Sequence, residues 1–223
     1  MSFQYFVYIS DTKVDMLLQQ IDPGRLRKHT GEVGVDLKLL KAKRAAETPA
    51  AAERIARLER VVRHLDDFGD VGDVDNPGQF FRGLLPMRWG PMVGRDGFPL
   101  AYFGGRTGKT VVGIGGSRSH LIGLPFPADQ DAQSARSTLP ALLQAFTPAD
   151  EQAVVAASRE DEDMLAELQR DEEAALSVVQ RATTSLRGPA QNLEFLAKRL
   201  LYGRTVDGRS VLLGTPLYVA IAD

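Results

Sequence analysis

The chain has no cysteine, and it has few of the other residues that usually mark a metal or redox site. Disulfide bonds, iron–sulfur clusters, zinc sites with thiolate ligands and cysteine nucleophiles are therefore excluded. The histidines, His29, His64 and His120, lie far apart along the chain and do not match a metal-ligand spacing. We accordingly predict neither a bound metal nor a cofactor.

Long apolar runs and an excess of one charge are also missing. No stretch reaches the ~18 uninterrupted apolar residues of a membrane-spanning helix, and residues 1–10, MSFQYFVYIS, lack the basic and apolar segments of a secretory signal. The 27 basic residues nearly balance the 29 acidic ones, which argues against a broad positive face for phosphate backbones. We expect a cytoplasmic protein that binds neither a membrane nor nucleic acid.

The chain has enough hydrophobic residues for a sizeable core. The chain has 223 residues, of which 43% are hydrophobic. A chain of this length buries about 70% of its unfolded surface on folding. We predict a single domain spanning residues 1–223, with a helical appendage within about 147–203.

The N-terminal third combines one strand with several helices. Residues Phe3–Ile9 are rich in aromatic and β-branched side chains, which predicts a strand. Ser10 and the two residues after it supply helix-capping chemistry, with Asp15 as the acidic partner, so a helix is expected up to Ile21. Two further helices, joined as a hairpin, are predicted over Val35–Ala46 and Ala50–Phe68. The arginine series of the latter, interleaved with acidic residues, is interpreted as a solvated face.

The longest β-prone stretch is Phe80–Gly123, and its apolar segments separated by turns predict an antiparallel meander. A long charged helix is expected within 148–186, and another helix over Pro189–Gly203, where leucines recur at helical spacing. Two short strands follow, interrupted near Pro216, where an edge position or a kink is expected. The predicted fold is α+β: a mainly antiparallel sheet from the central meander plus the N- and C-terminal strands, covered by several helices.

Three stretches resemble nucleotide- or cation-binding motifs but fail on spacing or context. Residues 104–110, GGRTGKT, are one residue short of a P-loop and are followed by a strand-like segment instead of a helix. Residues 113–118, GIGGSR, lack the third glycine of a dinucleotide fingerprint. The acidic stretch 66–78 fails as an EF-hand loop at its third ligand position, and we interpret it as a solvated linker.

A weaker candidate site survives at the end of the β-rich stretch. Its glycine amides could form an anion-binding nest, while an arginine adds a positive charge and a histidine could exchange a proton near neutral pH. The candidate ligand-binding residues are Gly115, Gly116, Ser117, Arg118 and His120. The alternative interpretation is a tight turn in which the glycines serve the backbone and His120 is packed or solvated.

Three stretches resemble an uncharacterised family of actinobacterial proteins. They are FVYISDTKVDMLLQQI (residues 6–21), GGSRSHLIG (115–123) and LLGTPLYVAIAD (212–223). The resemblance implies a common fold and assigns no catalytic residue.

These observations favour a non-enzymatic binding or regulatory module for a small anionic ligand or a protein partner. Two alternatives stay open. One is a phosphoester- or nucleotide-processing enzyme that uses His120 with Arg118 or Lys109. The other is a scaffold that forms a homodimer through the charged helix within 148–186.

Overall fold

The computed structural model describes residues 4–21, 50–93, 97–123 and 164–222. The predicted helix Val35–Ala46 lies outside these ranges, as does the start of the helix expected within 148–186. The chain divides into two compact units, Ser10–Gly69 and a larger unit made of Met1–Ile9 with Asp70–Asp223. The single-domain expectation stays a prediction, and the two units are described one at a time.

The smaller unit contains a pair of helices, α1 (Asp11–Ile21) and α2 (Ala50–Phe68). Both helices lie where the sequence predicts them. Two ion pairs join them: Arg54 binds Asp11 with atoms 2.8 Å apart, and Arg57 binds Asp15. The predicted capping residue Asp15 therefore pairs with the neighbouring helix. The apolar residues Val14, Leu58, Val61 and Leu65 are buried.

The larger unit is built from strands and one described helix. Its elements are β1 (Tyr5–Ile9), β2 (Val71–Asp73), β3 (Phe80–Val93), β4 (Pro99–Arg106), β5 (Thr110–Ser117), α3 (Met164–Ser185), β6 (Gln191–Arg204) and β7 (Ser210–Ile221). Both terminal strands join the sheet as predicted, and they pair with each other, because β1 runs antiparallel to β7 with Tyr5 opposite Ile221. None of the described helices is long and apolar enough to cross a membrane.

The sheet closes into a five-stranded barrel, whereas the sequence predicted an open meander. The strands β3, β4 and β5 pair in sequence order, β5 runs parallel to β7, and β6 pairs with both β7 and β3. The α+β class and the mainly antiparallel pairing agree with the prediction. Closure gives each of the five barrel strands two partners, while β1 and β2 each pair with one barrel strand.

The barrel interior is filled by aromatic and aliphatic side chains. The buried cluster includes Phe81, Met87, Phe103, Ile114, Phe195, Leu212 and Val219. At two places where a core ring meets the barrel wall, the wall residue is a glycine: a Cβ on Gly214 would lie 2.5 Å from the ring of Phe81, and one on Gly83 would lie 2.6 Å from the ring of Phe195. These two glycines therefore serve packing inside a narrow barrel.

Helix α3 covers the outer face of β4, β5 and β7. Its buried residues Leu176, Val179 and Ala182 pack in one cluster with barrel residues that include Leu100 and Val211. A polar contact anchors the same face: the hydroxyl oxygens of Tyr102 and Thr183 lie 2.9 Å apart. Burial raises the pKa of the Tyr102 phenol well above its usual value, so the ring stays neutral.

The predicted helix over Pro189–Gly203 is wrong, because this segment forms β6. Leu193 and Phe195 belong to the barrel core, while Leu200 and Leu201 pack against the α3 cluster. A strand that is buried on both faces has apolar residues without strict alternation, and their spacing can then imitate a helix. Only the pairing with β3 and β7 distinguishes the two interpretations.

The expected irregularity near Pro216 is present, although β7 is continuous. Pro216 pairs with Ala197, and the register between β6 and β7 shifts between Leu196 and Ala197. On the other edge of β7, pairing with β5 ends at Gly214 and pairing with β1 begins at Tyr218. Proline has no N–H for a ladder, and here it lies between two successive partners.

Candidate functional site

The predicted site residues lie together at the end of β5, but the two glycines have a different role from the predicted one. Gly115 pairs with Tyr102 and Gly116 pairs with Ala101 in the antiparallel ladder of β4 and β5. Neither glycine has a positive φ. A Cβ on Gly116 would lie 2.2 Å from the hydroxyl oxygen of Tyr8, so this position must be small. Their extended backbone gives no anion-binding nest.

The chain turns directly after the strand. Residues Arg118–His120 form one 3₁₀ turn, and the next residue, Leu121, forms a single bridge with Tyr8. The Ser117 hydroxyl accepts a hydrogen bond from the Ser119 amide at 3.3 Å, and the two serine hydroxyl oxygens lie 2.8 Å apart. The turn therefore places two hydroxyls next to the backbone of Arg118.

Arg118 is half-buried at this turn. Its Nε is buried, and among the described residues it has no hydrogen-bond partner. An arginine has five N–H donors in a planar fork, and a buried donor of a charged group without an acceptor is unfavourable. Arg118 is therefore the group at this turn that a negatively charged ligand would satisfy.

The surroundings of His120 are those of a packed side chain and do not favour a role in proton transfer. It is 7% exposed, and its ring lies edge-on to the ring of Tyr8, with ring centres 5.7 Å apart. An imidazole in such a position has little access to a substrate in solution.

The P-loop look-alike and the acidic linker meet at the other end of the barrel. Asp75 accepts hydrogen bonds from the hydroxyls of Thr107 and Thr110, each at 2.8 Å. The Thr107 bond, followed by the Thr110 bond and the charge of Lys109, holds the pKa of Asp75 below its usual value. The linker is thus an ordered loop bonded to the β4–β5 turn. Within the described ranges, no three metal-ligating side chains cluster.

The sequence analysis missed one polar pair, at the start of α1. The Lys13 ammonium donates a hydrogen bond to the hydroxyl of Ser10 at 3.2 Å, and Ser10 is fully buried. Burial lowers the pKa of Lys13 to about 8. The Ser-x-x-Lys spacing, which recurs in serine–lysine catalytic pairs, was the signal that could have identified it.

The outward side of α3 carries an open groove of about 450 Å³. Its described lining is polar: Ser177, Gln180, Arg181, Thr184 and Ser185. A helix-mediated dimer needs an apolar seam, which these side chains do not supply.

Parts of the three stretches that carried the family resemblance are neighbours in the larger unit. Leu121 bridges Tyr8, and Tyr5 pairs with Ile221, so the turn after β5 and both chain ends meet at β1. No curated protein and no solved structure matches the chain. A family model does match it, over residues 4–223. The chain accordingly belongs to that family, which is described as a family of unknown function, DUF7019.

Proposed function

We propose that the protein is a non-enzymatic module that binds a small anionic ligand at the turn Ser117–His120. The observation that carries the proposal is the buried Nε of Arg118, which lacks a hydrogen-bond partner within the described chain. A ligand oxygen would accept from this donor and complete its hydrogen bonding. The same oxygen would offset the cost of keeping a charged donor away from water.

The surroundings of Arg118 favour a carboxylate or a phosphate. The guanidinium fork matches the paired oxygens of either group. The hydroxyls of Ser117 and Ser119 are 2.8 Å apart and bond to each other, so one of their two protons is available for an additional acceptor. One cation and a free hydroxyl proton suit a small ligand with one anionic group.

Binding is better supported than phosphoester or nucleotide chemistry at this turn. The enzyme alternative needs His120 as an accessible acid or base, yet the side chain is 7% exposed and packs against Tyr8. Lys109 lies in the β4–β5 turn beside Thr110, whereas Ser117 and Arg118 lie at the far end of β5. A lysine at the opposite end of the strand does not contribute to one reaction centre with Arg118.

The barrel also gives no support to nucleic-acid binding. Small Greek-key barrels that bind oligonucleotides use the outer face of neighbouring strands in the barrel. This is an analogy between folds and carries weight only through the site itself. Here the outer face of β4 and β5 is covered by α3, whose residues Leu176 and Val179 pack on Leu100 and Val111.

The test is a binding screen of the whole chain with phosphate, pyrophosphate, ATP, citrate and acetate, read by thermal shift and calorimetry. We expect at least one of these anions to raise the melting temperature, as a ligand specific for the folded state must. Arg118→Gln should weaken binding about tenfold or more, because a charge-assisted hydrogen bond contributes about 1.5–3 kcal/mol.

Arg106→Gln is the matched control, since Arg106 is an exposed arginine at the end of β4. It should bind the anion as the unaltered protein does. Equal loss in both variants would indicate a general charge effect and would contradict the site. Turnover of a phosphoester that disappears in His120→Ala would favour the enzyme alternative instead.

A further inference from the structure

Lys13 carries a buried amine, and the acidic residues nearest to it in sequence form ion pairs with other residues. Asp11 and Asp15 lie two residues before and after it on α1, which places them on the opposite side of the helix. Both carboxylates turn to α2, where Asp11 binds Arg54 and Asp15 binds Arg57. Within the described residues, Lys13 has the Ser10 hydroxyl as its hydrogen-bond partner and forms no ion pair.

A lysine in this position is costly in its charged form. The ammonium has three donors, and a desolvated ammonium without a carboxylate is driven toward the neutral amine. Its pKa is lowered to about 8, and burial is the cause. Roughly one such amine in ten is neutral at pH 7, compared with fewer than about one in a thousand for an ordinary lysine.

We propose that Lys13 is a nucleophilic lysine that condenses with a small aldehyde or ketone to form an imine, with the Ser10 hydroxyl relaying the proton. Amines that are desolvated in this way are the ones that proteins use for Schiff-base chemistry. Ser-x-x-Lys pairs can also act through the serine oxygen. Here the Lys13 side chain is half-buried and its Nζ bonds to the Ser10 hydroxyl, which makes Lys13 the nucleophile and Ser10 its proton partner.

The reaction needs no oxidant, reductant or metal. The lone pair of neutral Nζ attacks the carbonyl carbon, an N–C bond forms, and the C=O π electrons move to oxygen. One proton passes from nitrogen to that oxygen through the hydroxyl of Ser10, which lies 3.2 Å from Nζ. The resulting carbinolamine then loses its hydroxyl group and the remaining N–H proton as one molecule of water, and a C=N bond forms as the C–O bond breaks. The amine and the carbonyl compound are thereby converted to imine and water.

The experiment uses the full chain with propanal or pyruvate and sodium cyanoborohydride, which reduces an imine to a stable secondary amine. Modified residues are then mapped by peptide mass spectrometry. At pH 7 we expect Lys13 to react about tenfold or more faster than the lysine of a short model peptide. The exposed Lys109 serves as the internal reference for simple accessibility.

Two serine variants test the relay. Ser10→Ala should slow the modification of Lys13, and Ser10→Thr, which keeps a hydroxyl, should restore most of the rate. The mapping of the unaltered protein tests the proposal even if a variant does not fold. If modification depends only on side-chain exposure, so that Lys109 is modified and Lys13 is not, the proposal is overturned. An unchanged rate in a folded Ser10→Ala protein would overturn the relay.

Discussion

Asp75 and Thr110 are joined by a hydrogen bond of 2.8 Å between the carboxylate and the hydroxyl. Thr110 is the last residue of the P-loop look-alike, and Asp75 belongs to the acidic stretch that imitates an EF-hand. Two segments that resemble binding motifs are thus partners of each other. Thr107 bonds to the same carboxylate oxygen, so one carboxylate fixes the β4–β5 turn to the loop after β2.

Removing this carboxylate should destabilise the barrel end. Asp75→Ala is expected to lower the free energy of unfolding by about 1–2 kcal/mol, because two charge-assisted hydrogen bonds are lost at a half-buried site. Urea denaturation at pH 7 measures the change. Thr110→Val should cost little in the Asp75→Ala background, and Asp67→Asn, at an exposed position of α2, is the control for loss of charge. Full additivity of the two changes would contradict the coupling.

The acid dependence of stability should change in the same variant. The folded-state pKa of Asp75 lies below its usual value of 3.8. The stabilisation is therefore present above that usual value and is lost as the pH falls through the folded-state pKa. Urea titrations from pH 6 down to pH 2 should show a shallower loss of stability for Asp75→Ala than for the unaltered protein. Parallel curves would mean that Asp75 makes no pH-linked contribution.

The glycines of the motif look-alikes should differ in their tolerance of a methyl group. Gly116→Ala places a Cβ 2.2 Å from the Tyr8 hydroxyl, so the ring or the strand must move. We expect a loss of about 1–3 kcal/mol, as for other overpacked sites. Gly108→Ala meets nothing within 4 Å and should change stability by less than about 0.5 kcal/mol. Thermal unfolding of both variants checks this, and equal effects would be inconsistent with the packing role.

The attachment of α3 should depend on one hydroxyl pair. Tyr102→Phe and Thr183→Val each remove one partner of the 2.9 Å contact and should each cost about 1 kcal/mol. The double variant should cost less than the sum of the two, which a double-mutant cycle measures. Thr184→Val is the matched control on the same helix, because Thr184 bonds to the carbonyl of Gln180 one turn away. A coupling energy of zero would exclude the contact as an anchor.

Lys13 should make the free energy of unfolding increase with pH in mild alkali. Its folded-state pKa is about 8, below the usual value of 10.5, so the unfolded chain binds more protons between these two values. Stability should therefore increase with pH from about 8 to 10. Lys13→Met should remove this increase, as followed by denaturant titration at several pH values. Identical slopes for the two proteins would show that Lys13 is not desolvated in the folded state.

Local chemistry in the sequence was sufficient for several elements. The strand at Tyr5–Ile9, α1 and α2 each have a clear period and recognisable ends, and they lie where they were predicted. The P-loop motif was rejected because of its glycine spacing and the β-prone residues after it, and the dinucleotide motif because its third glycine is missing. The residues after the P-loop look-alike form β5, as expected.

The tertiary structure decided what depends on distant partners. β6 has the apolar spacing of a helix, and only its pairing with β3 and β7 makes it a strand and closes the barrel. For the same reason fewer of the predicted site residues remain candidates, since Gly116 lies against Tyr8, more than a hundred residues away in sequence. The sequence by itself determined which kinds of site the composition excludes, where α1 and α2 lie, and that the centre of the chain is rich in strands. Barrel closure, the exposed or buried state of each polar group and the Ser10–Lys13 pair depend on contacts that a local pattern does not encode.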